Sequence, residues 1–207
     1  MGPRPTVQSK REAQRLHILE EFEARASQRG PRRVVMAELA RDLGISTRTL
    51  YQQFASKADL VREIMERWAA ELEVEQRRRL RSDLSPKGRM VDAAQSWIEG
   101  QDRFSAAFWA EVVPDFPDAA QIMRDQVRKS LGTARDYLAP LVHEDFSREL
   151  AISLLNSSIR HALDPKRCDR LGLSRLEAVE QAIEIWCRGA LAPQPRLTGL
   201  TTRPDSS

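Results

Sequence analysis

Six side chains able to hydrogen-bond outward crowd into one short stretch: Thr47, Arg48, Tyr51, Gln52, Gln53 and, just beyond, Lys57. Leu50 and Phe54 share it at i and i+4, the apolar seam of a helix over roughly residues 47–54. The chemistry open to the polar face is recognition. An Arg fork fits guanine O6 and N7, and a Gln amide fits adenine N6 and N7. Arg48 is thus a candidate reader of guanine, and Gln52 or Gln53 of adenine. Thr47, near the helix N-terminus, suits a phosphate or a thymine methyl. Lys57 falls in the first turn of a following helix, where an ammonium and a helix N-terminus together hold one phosphate.

Bond-making chemistry finds little support. His17, His143 and His161 have no metal-ligand spacing, and HExxH, GxSxG, P-loop and GxGxxG patterns are absent. No metal or cofactor is expected, and a helical enzyme is only a remote alternative. Cys168 and Cys187 stand alone without CxxC spacing, which points to small hydrophobes in a reduced chain. No apolar run approaches the ~20 residues of a membrane span, and the N-terminus lacks the apolar core of a signal peptide. A cytoplasmic protein is expected.

The elements that must position the polar face come from periodicity and caps. Met36, Leu39, Ala40 and Leu43 mark a short amphipathic helix, Gly44 ends it, and Ser46 offers a cap to the next. Two short helices joined by a Gly-containing turn read as a helix-turn-helix over about residues 35–54. Before it, Ser9 and Glu12 have capping-box spacing and open a helix to about residue 28, striped by Leu16, Leu19, Phe22 and Ala26. Arg32 and Arg33 precede the second helix, near where a phosphate backbone would pass. After it, Ser56 caps a helix to about residue 81, whose Arg77, Arg78 and Arg79 read as a solvated face.

Five further helices are expected, over about 86–100, 102–113, 118–138, 145–163 and 174–190, with residues 164–173 as a loop. The fold class is therefore all-α with about nine helices. Three parts are expected: residues 9–75, 76–191 and a disordered tail at 192–207. Net charge is only +3, but residues 1–60 hold eleven Lys and Arg against seven Asp and Glu. The remainder is balanced at 22 against 23, so the basic excess sits with the polar helix, as phosphate binding needs.

From Ala40 to Leu60 the pattern AxxLGxSxxTLYxxFxSKxxL resembles the signature of the TetR family of transcriptional regulators. The matching residues are Ala40, Leu43, Gly44, Ile45, Ser46, Thr49, Leu50, Tyr51, Phe54, Ser56, Lys57 and Leu60. The resemblance implies that Tyr51 contacts a phosphate. It also implies a repressor that binds a palindromic DNA operator as a homodimer and is released by a small-molecule inducer. A ligand-independent regulator or an activator is the alternative. The sequence departs from the family pattern at Val35-Met36-Ala37, where relatives place a Ser or Thr on a phosphate; Arg32 or Arg33 would have to substitute.

One helix-turn-helix buries too little surface to select a genomic site, and a symmetric dimer solves this. The last two helices carry more apolar surface than one core needs, and the resemblance places the dimer interface there. Leu150, Leu154, Ser158, Val179, Ile183 and Trp186 are the candidates. The resemblance puts a ligand pocket among residues 86–140. Trp97, Phe104, Phe108 and Trp109 are candidates for its wall, with Asn156, Arg160 and His161 as polar groups from the neighbouring helix.

Overall fold

A computed structural model describes residues 7–191 and contains ten α-helices and two 3-10 turns. The N-terminal arm and the tail at 192–207 lie outside the described residues. No strand forms among the described residues beyond an isolated bridge between Val142 and Leu191. No described helix is long and apolar enough to cross a membrane. The chain divides into two compact units, one up to Ala134 and one from Arg135.

In the first unit, α1 (Val7–Arg29) begins before Ser9, so the expected Ser9 cap is not one. The helix runs on because Gln8 is helix-compatible and its amide donates to Glu12 Oε1 one turn away, at 3.2 Å. Its inward stripe is Ile18, Leu19, Phe22 and Ala26, while Leu16 stays 47% exposed. Ile18, Phe22 and Ala26 follow one another at steps of four, and Leu16 lies off that line. Then come α2 (Met36–Asp42), α3 (Thr47–Gln53) and α4 (Lys57–Leu80). α4 crosses residues 75 and 76, the expected domain boundary, without a break. Leu60, Val61, Ile64, Met65, Trp68 and Leu72 of α4 are buried against α1–α3 and against Phe104, Phe108 and Val112 in one cluster.

α5 (Pro86–Asp102) opens on Ser85, whose Oγ accepts from Gly88 N at 3.2 Å, with Pro86 in the first turn. α6 (Ala106–Asp115) is capped by Ser105, includes Pro114 and ends two residues beyond its expected end. α7 runs Pro117–Leu138. Trp68 Nε1 donates to Gly100 O at 2.9 Å, and a Cβ at Gly100 would sit 3.2 Å from that nitrogen. A side chain at this point of the α4–α5 contact would make the Trp68 ring give by a few tenths of an ångström. Arg79 is mostly buried, pairs with Glu75 one turn back on α4, and ties α4 to α5 through Asp92 and Glu99. Burial works against its charge, but the Glu75 and Glu99 hydrogen bonds hold its pKa above the ordinary value. Arg77 and Arg78 stay exposed beside Glu73 and Glu75, so the expected solvated face holds for two of the three.

In the second unit, α8 (Arg148–Ala162) starts after Ser147, its N-cap, later than the expected residue 145. α9 (Pro165–Leu171) corrects the expected loop and raises the helix count to ten. Asp164 Oδ1 accepts from Lys166 N at 3.0 Å, Pro165 fills the first turn, and Gly172 closes the helix at φ +64°. Start and stop signals were thus present, but with Cys168 as its one buried residue the segment lacks an amphipathic stripe. α10 (Arg175–Ala190) opens on the expected capping box of Ser174 and Glu177. α8 and α10 pack through Ala151, Ile152 and Leu155 on one side and Val179, Ile183 and Trp186 on the other. Trp186 Nε1 donates to Ala151 O at 2.7 Å.

Candidate nucleic-acid interface

The turn between α2 and α3 is built from local bonds. Gly44 takes φ +66°, where a side chain costs energy, and its N–H donates to Arg41 O at 3.0 Å. Ile45 N–H reaches back to Ala40 O at 2.9 Å, and Ile45 packs against the core. Ser46 Oγ then accepts from Thr49 N at 3.0 Å and lies 2.8 Å from Thr49 Oγ1. That cap matters because seven residues make too short a helix to stand alone. Leu50 and Phe54 anchor α3 in the core, both essentially inaccessible.

Two ion pairs and one ring contact frame α3 from outside. Arg15 of α1 grips Glu63 of α4 at 3.0 and 2.6 Å while its guanidinium lies 4.0 Å over the Phe54 ring. Arg25 of α1 holds Asp42 at the end of α2 at 2.9 Å, and that bond keeps the Asp42 carboxyl below its usual pKa. Thr47, Arg48, Tyr51 and Gln52 are exposed together on the outer face of α3. Gln53 is half-buried, turned partly away from that face.

Lys57 is also half-buried. Ser56 Oγ caps α4 by accepting from Asp59 N at 3.1 Å, which fixes Lys57 in the first turn as expected. Its Nζ donates to Arg32 O at 3.1 Å. Burial pushes the ammonium below its usual pKa, and the nearby Glu111 charge pulls it partly back. The Arg32 backbone N–H donates to Glu111 Oε2 at 2.8 Å, and its guanidinium pairs with Asp115. Arg33 is exposed. Val35 is the N-cap of α2 and offers no side-chain cap, so no hydroxyl stands where the family pattern would place one. Sequence reasoning missed Glu111 and Asp115. They lie 79 and 83 residues from Arg32, and no periodicity links such distant positions.

The remaining candidates separate. Phe104 and Phe108 stack at 4.3 Å, Trp109 meets both edge-on, and Trp97 and Trp109 flank Trp68 at 5.7 and 5.6 Å. Each of these rings is occupied by its neighbours in the core of the first unit. Asn156, half-buried, and His161 and Arg160, exposed, belong to the second unit. Of the dimer candidates, Leu150, Leu154 and Ser158 are exposed, whereas Val179, Ile183 and Trp186 are buried within the chain against α8. The latter three face inward because α8 already covers that side of α10. Among the described residues, no three His, Cys, Asp or Glu gather to hold a metal.

Residues 18–64 match the family model described as bacterial regulatory proteins, tetR family. Among solved structures, the chain resembles a transcriptional regulator from Rhodococcus sp. Rha1 at 16% identity and TM-score 0.65, over 86% of this chain and 99% of that one. A TetR transcriptional regulator from Chloroflexus aurantiacus J-10-FL is similar at 12% identity and TM-score 0.65, over 88% and 99%. A regulator from Saccharomonospora viridis in complex with choline is similar at 19% identity and TM-score 0.63, over 87% and 99%. No curated protein matches the chain in sequence. At such identities the likeness is one of fold, all-α with an amino-terminal helix-turn-helix.

Proposed function

Because the chain carries the amino-terminal domain of the tetR family of bacterial regulatory proteins over residues 18–64, we propose that it is a transcriptional regulator whose α3 enters the major groove of an operator. One observation carries this reading: within that matched segment, Thr47, Arg48, Tyr51 and Gln52 stand exposed above a buried Leu50. Arg48 and Gln52 read base edges, Thr47 and Tyr51 contact the backbone, and Lys57 grips a phosphate at the head of α4.

The regulator works as a homodimer on a palindromic site, since two half-sites supply the specificity that one α3 lacks. Leu150 (60% exposed) and Leu154 (56%) on α8, with Ile185 (74%) on α10, form the apolar face that a second copy covers. Ser158 on the same side of α8 allows close approach. A small-molecule effector releases the operator, which makes the protein a repressor. The choline complex of the similar Saccharomonospora viridis structure supports an effector of that size. Inside the first unit, Ser130 Oγ donates to buried Gln76 Oε1 at 2.7 Å beside buried Gln126, a polar patch that a neutral ligand group could use.

Selection of bound DNA from a random pool, followed by affinity measurements, tests the reading. The expected product is a palindrome. Arg48→Ala should cost about 1–3 kcal/mol on the selected site and little on random duplex. Lys57→Ala should weaken both about equally and reduce the salt slope by about 1. A pool that yields no consensus, or the reverse pattern in the two variants, refutes it.

A further inference from the structure

The carboxylates of α6 lie against the cations that flank the proposed DNA face. Glu111 sits so close to the α1–α2 connection that a Cβ on Gly30 would fall 2.6 Å from its carboxylate. Gly30 also takes φ +87°, a backbone conformation that strains other residues, and any Cβ there would push the Glu111 carboxylate aside. From there Glu111 Oε2 takes the Arg32 N–H, and the carbonyl of that same residue takes the Lys57 ammonium. Asp115, the last residue of α6, pairs with the Arg32 guanidinium. Its other oxygen, Oδ2, is buried with no hydrogen-bond partner. Asp115 stands at the C-terminal end of α6, with Glu111 one turn earlier, and the helix dipole at that end disfavours negative charge unless a cation answers it. Arg32 is what answers Asp115.

We infer that Glu111 and Asp115 of α6 form a latch on Arg32, Glu111 holding its backbone N–H and Asp115 its guanidinium, so that duplex DNA competes with Asp115 for that cation. The inference rests on the DNA-binding reading above and concerns how strongly that face binds. Arg32 is the cation proposed to replace the missing hydroxyl at the start of α2, and the latch occupies it. Withdrawing Arg32 to a phosphate leaves Asp115 with neither oxygen paired, and its Oδ2 is already buried without a partner, which is unfavourable for a carboxylate. The result is a lowered affinity for any duplex, and most of all for random sequence, where phosphate contacts supply nearly all the binding. A regulator restrained in this way is less easily titrated away by bulk DNA.

Fluorescence anisotropy on a labelled random duplex, at about 50 and 200 mM salt, tests the latch. Asp115→Asn and the double variant with Glu111→Gln keep acceptor oxygens in place, so the fold is retained and thermal unfolding should stay near wild type. Both should bind about 2- to 5-fold tighter, the range set by freeing one partly exposed ion pair. The log–log salt slope should steepen by about 0.9 for each cation freed. Asp115→Glu restores a charge and should behave as wild type. Asp118→Asn, which removes an exposed charge at the head of α7, should change affinity by less than about twofold. Arg32→Ala should matter little in the wild type and cost several-fold in Asp115→Asn. Wild-type binding with no gain in the variants, or an Arg32→Ala effect identical in both backgrounds, overturns the latch alone. No duplex binding by any form, even at low salt, sinks the DNA-binding reading and the latch with it.

Discussion

Replacing Gly44 by Ala isolates the backbone cost of the turn that aims α3. Gly44 holds φ +66°, and a Cβ built there meets nothing within 4 Å. No steric clash therefore enters. The left-handed conformation costs an Ala about 1–2 kcal/mol, while the loss of Gly freedom in the unfolded chain returns about 0.4–1 kcal/mol. The net loss is about 0.5–1.5 kcal/mol, or roughly 1–6 °C in melting temperature for a chain of this size. Gly44→Asn should cost less, because Asn tolerates this region. Gly172 supplies the control: it has φ +64°, is equally open, and closes α9 in the other unit. Gly172→Ala should lose similar stability and leave DNA affinity unchanged. Gly44→Ala should also weaken operator binding, since relief of its strain turns α3 against the bonds of Ile45 and Ser46. Circular dichroism melts and operator titrations of the four proteins, wild type and three variants, decide it. A Gly44→Ala protein that melts at or above wild type, or a Gly44→Asn protein that is the worse of the two, refutes the reasoning.

Three further outcomes follow from the two faces of the closing helices and from one carboxylate. Leu154→Glu puts a charge into the exposed face of α8 and should yield monomers in sedimentation velocity without lowering the melting temperature of the chain itself. Ile183→Ala, by contrast, should cost about 2–5 kcal/mol of stability as an intrachain cavity; dimer loss without destabilisation would show that Ile183 faces a second copy. Hydrogen bonds from Arg78 and Arg79 lower the Glu75 carboxyl from 4.5 to about 2. A depressed folded pKa contributes stability above the unfolded value, and that contribution fades as pH falls through the folded one. Glu75→Gln should therefore differ most from wild type near neutral pH and converge with it toward about pH 2. A gap in melting temperature that persists undiminished there contradicts the assignment.

The helix-turn-helix was legible because everything that shapes it acts within a few residues. Gly44 stops α2, Ser46 and Ser56 cap α3 and α4, and Leu50 and Phe54 mark the inward side; each is an i to i+4 relation. The closing helices show where such signals end. α10 has one apolar stripe that reads equally well as core or as interface, and packing against α8 assigned Val179, Ile183 and Trp186 to the core. On α8 the broad apolar surface divided, with Ala151, Ile152 and Leu155 going inward and Leu150 and Leu154 outward. The aromatic residues of α5 and α6 likewise pack around Trp68, with Trp97 and Trp109 edge-on to it, contacts that no periodicity in the sequence announces. Glu111 and Asp115 reached Arg32 only through the docking of α6 beside the α1–α2 connection. Local bonds fold the reading head wherever it is placed, whereas the charges around it depend on contacts that exist only once distant helices have docked.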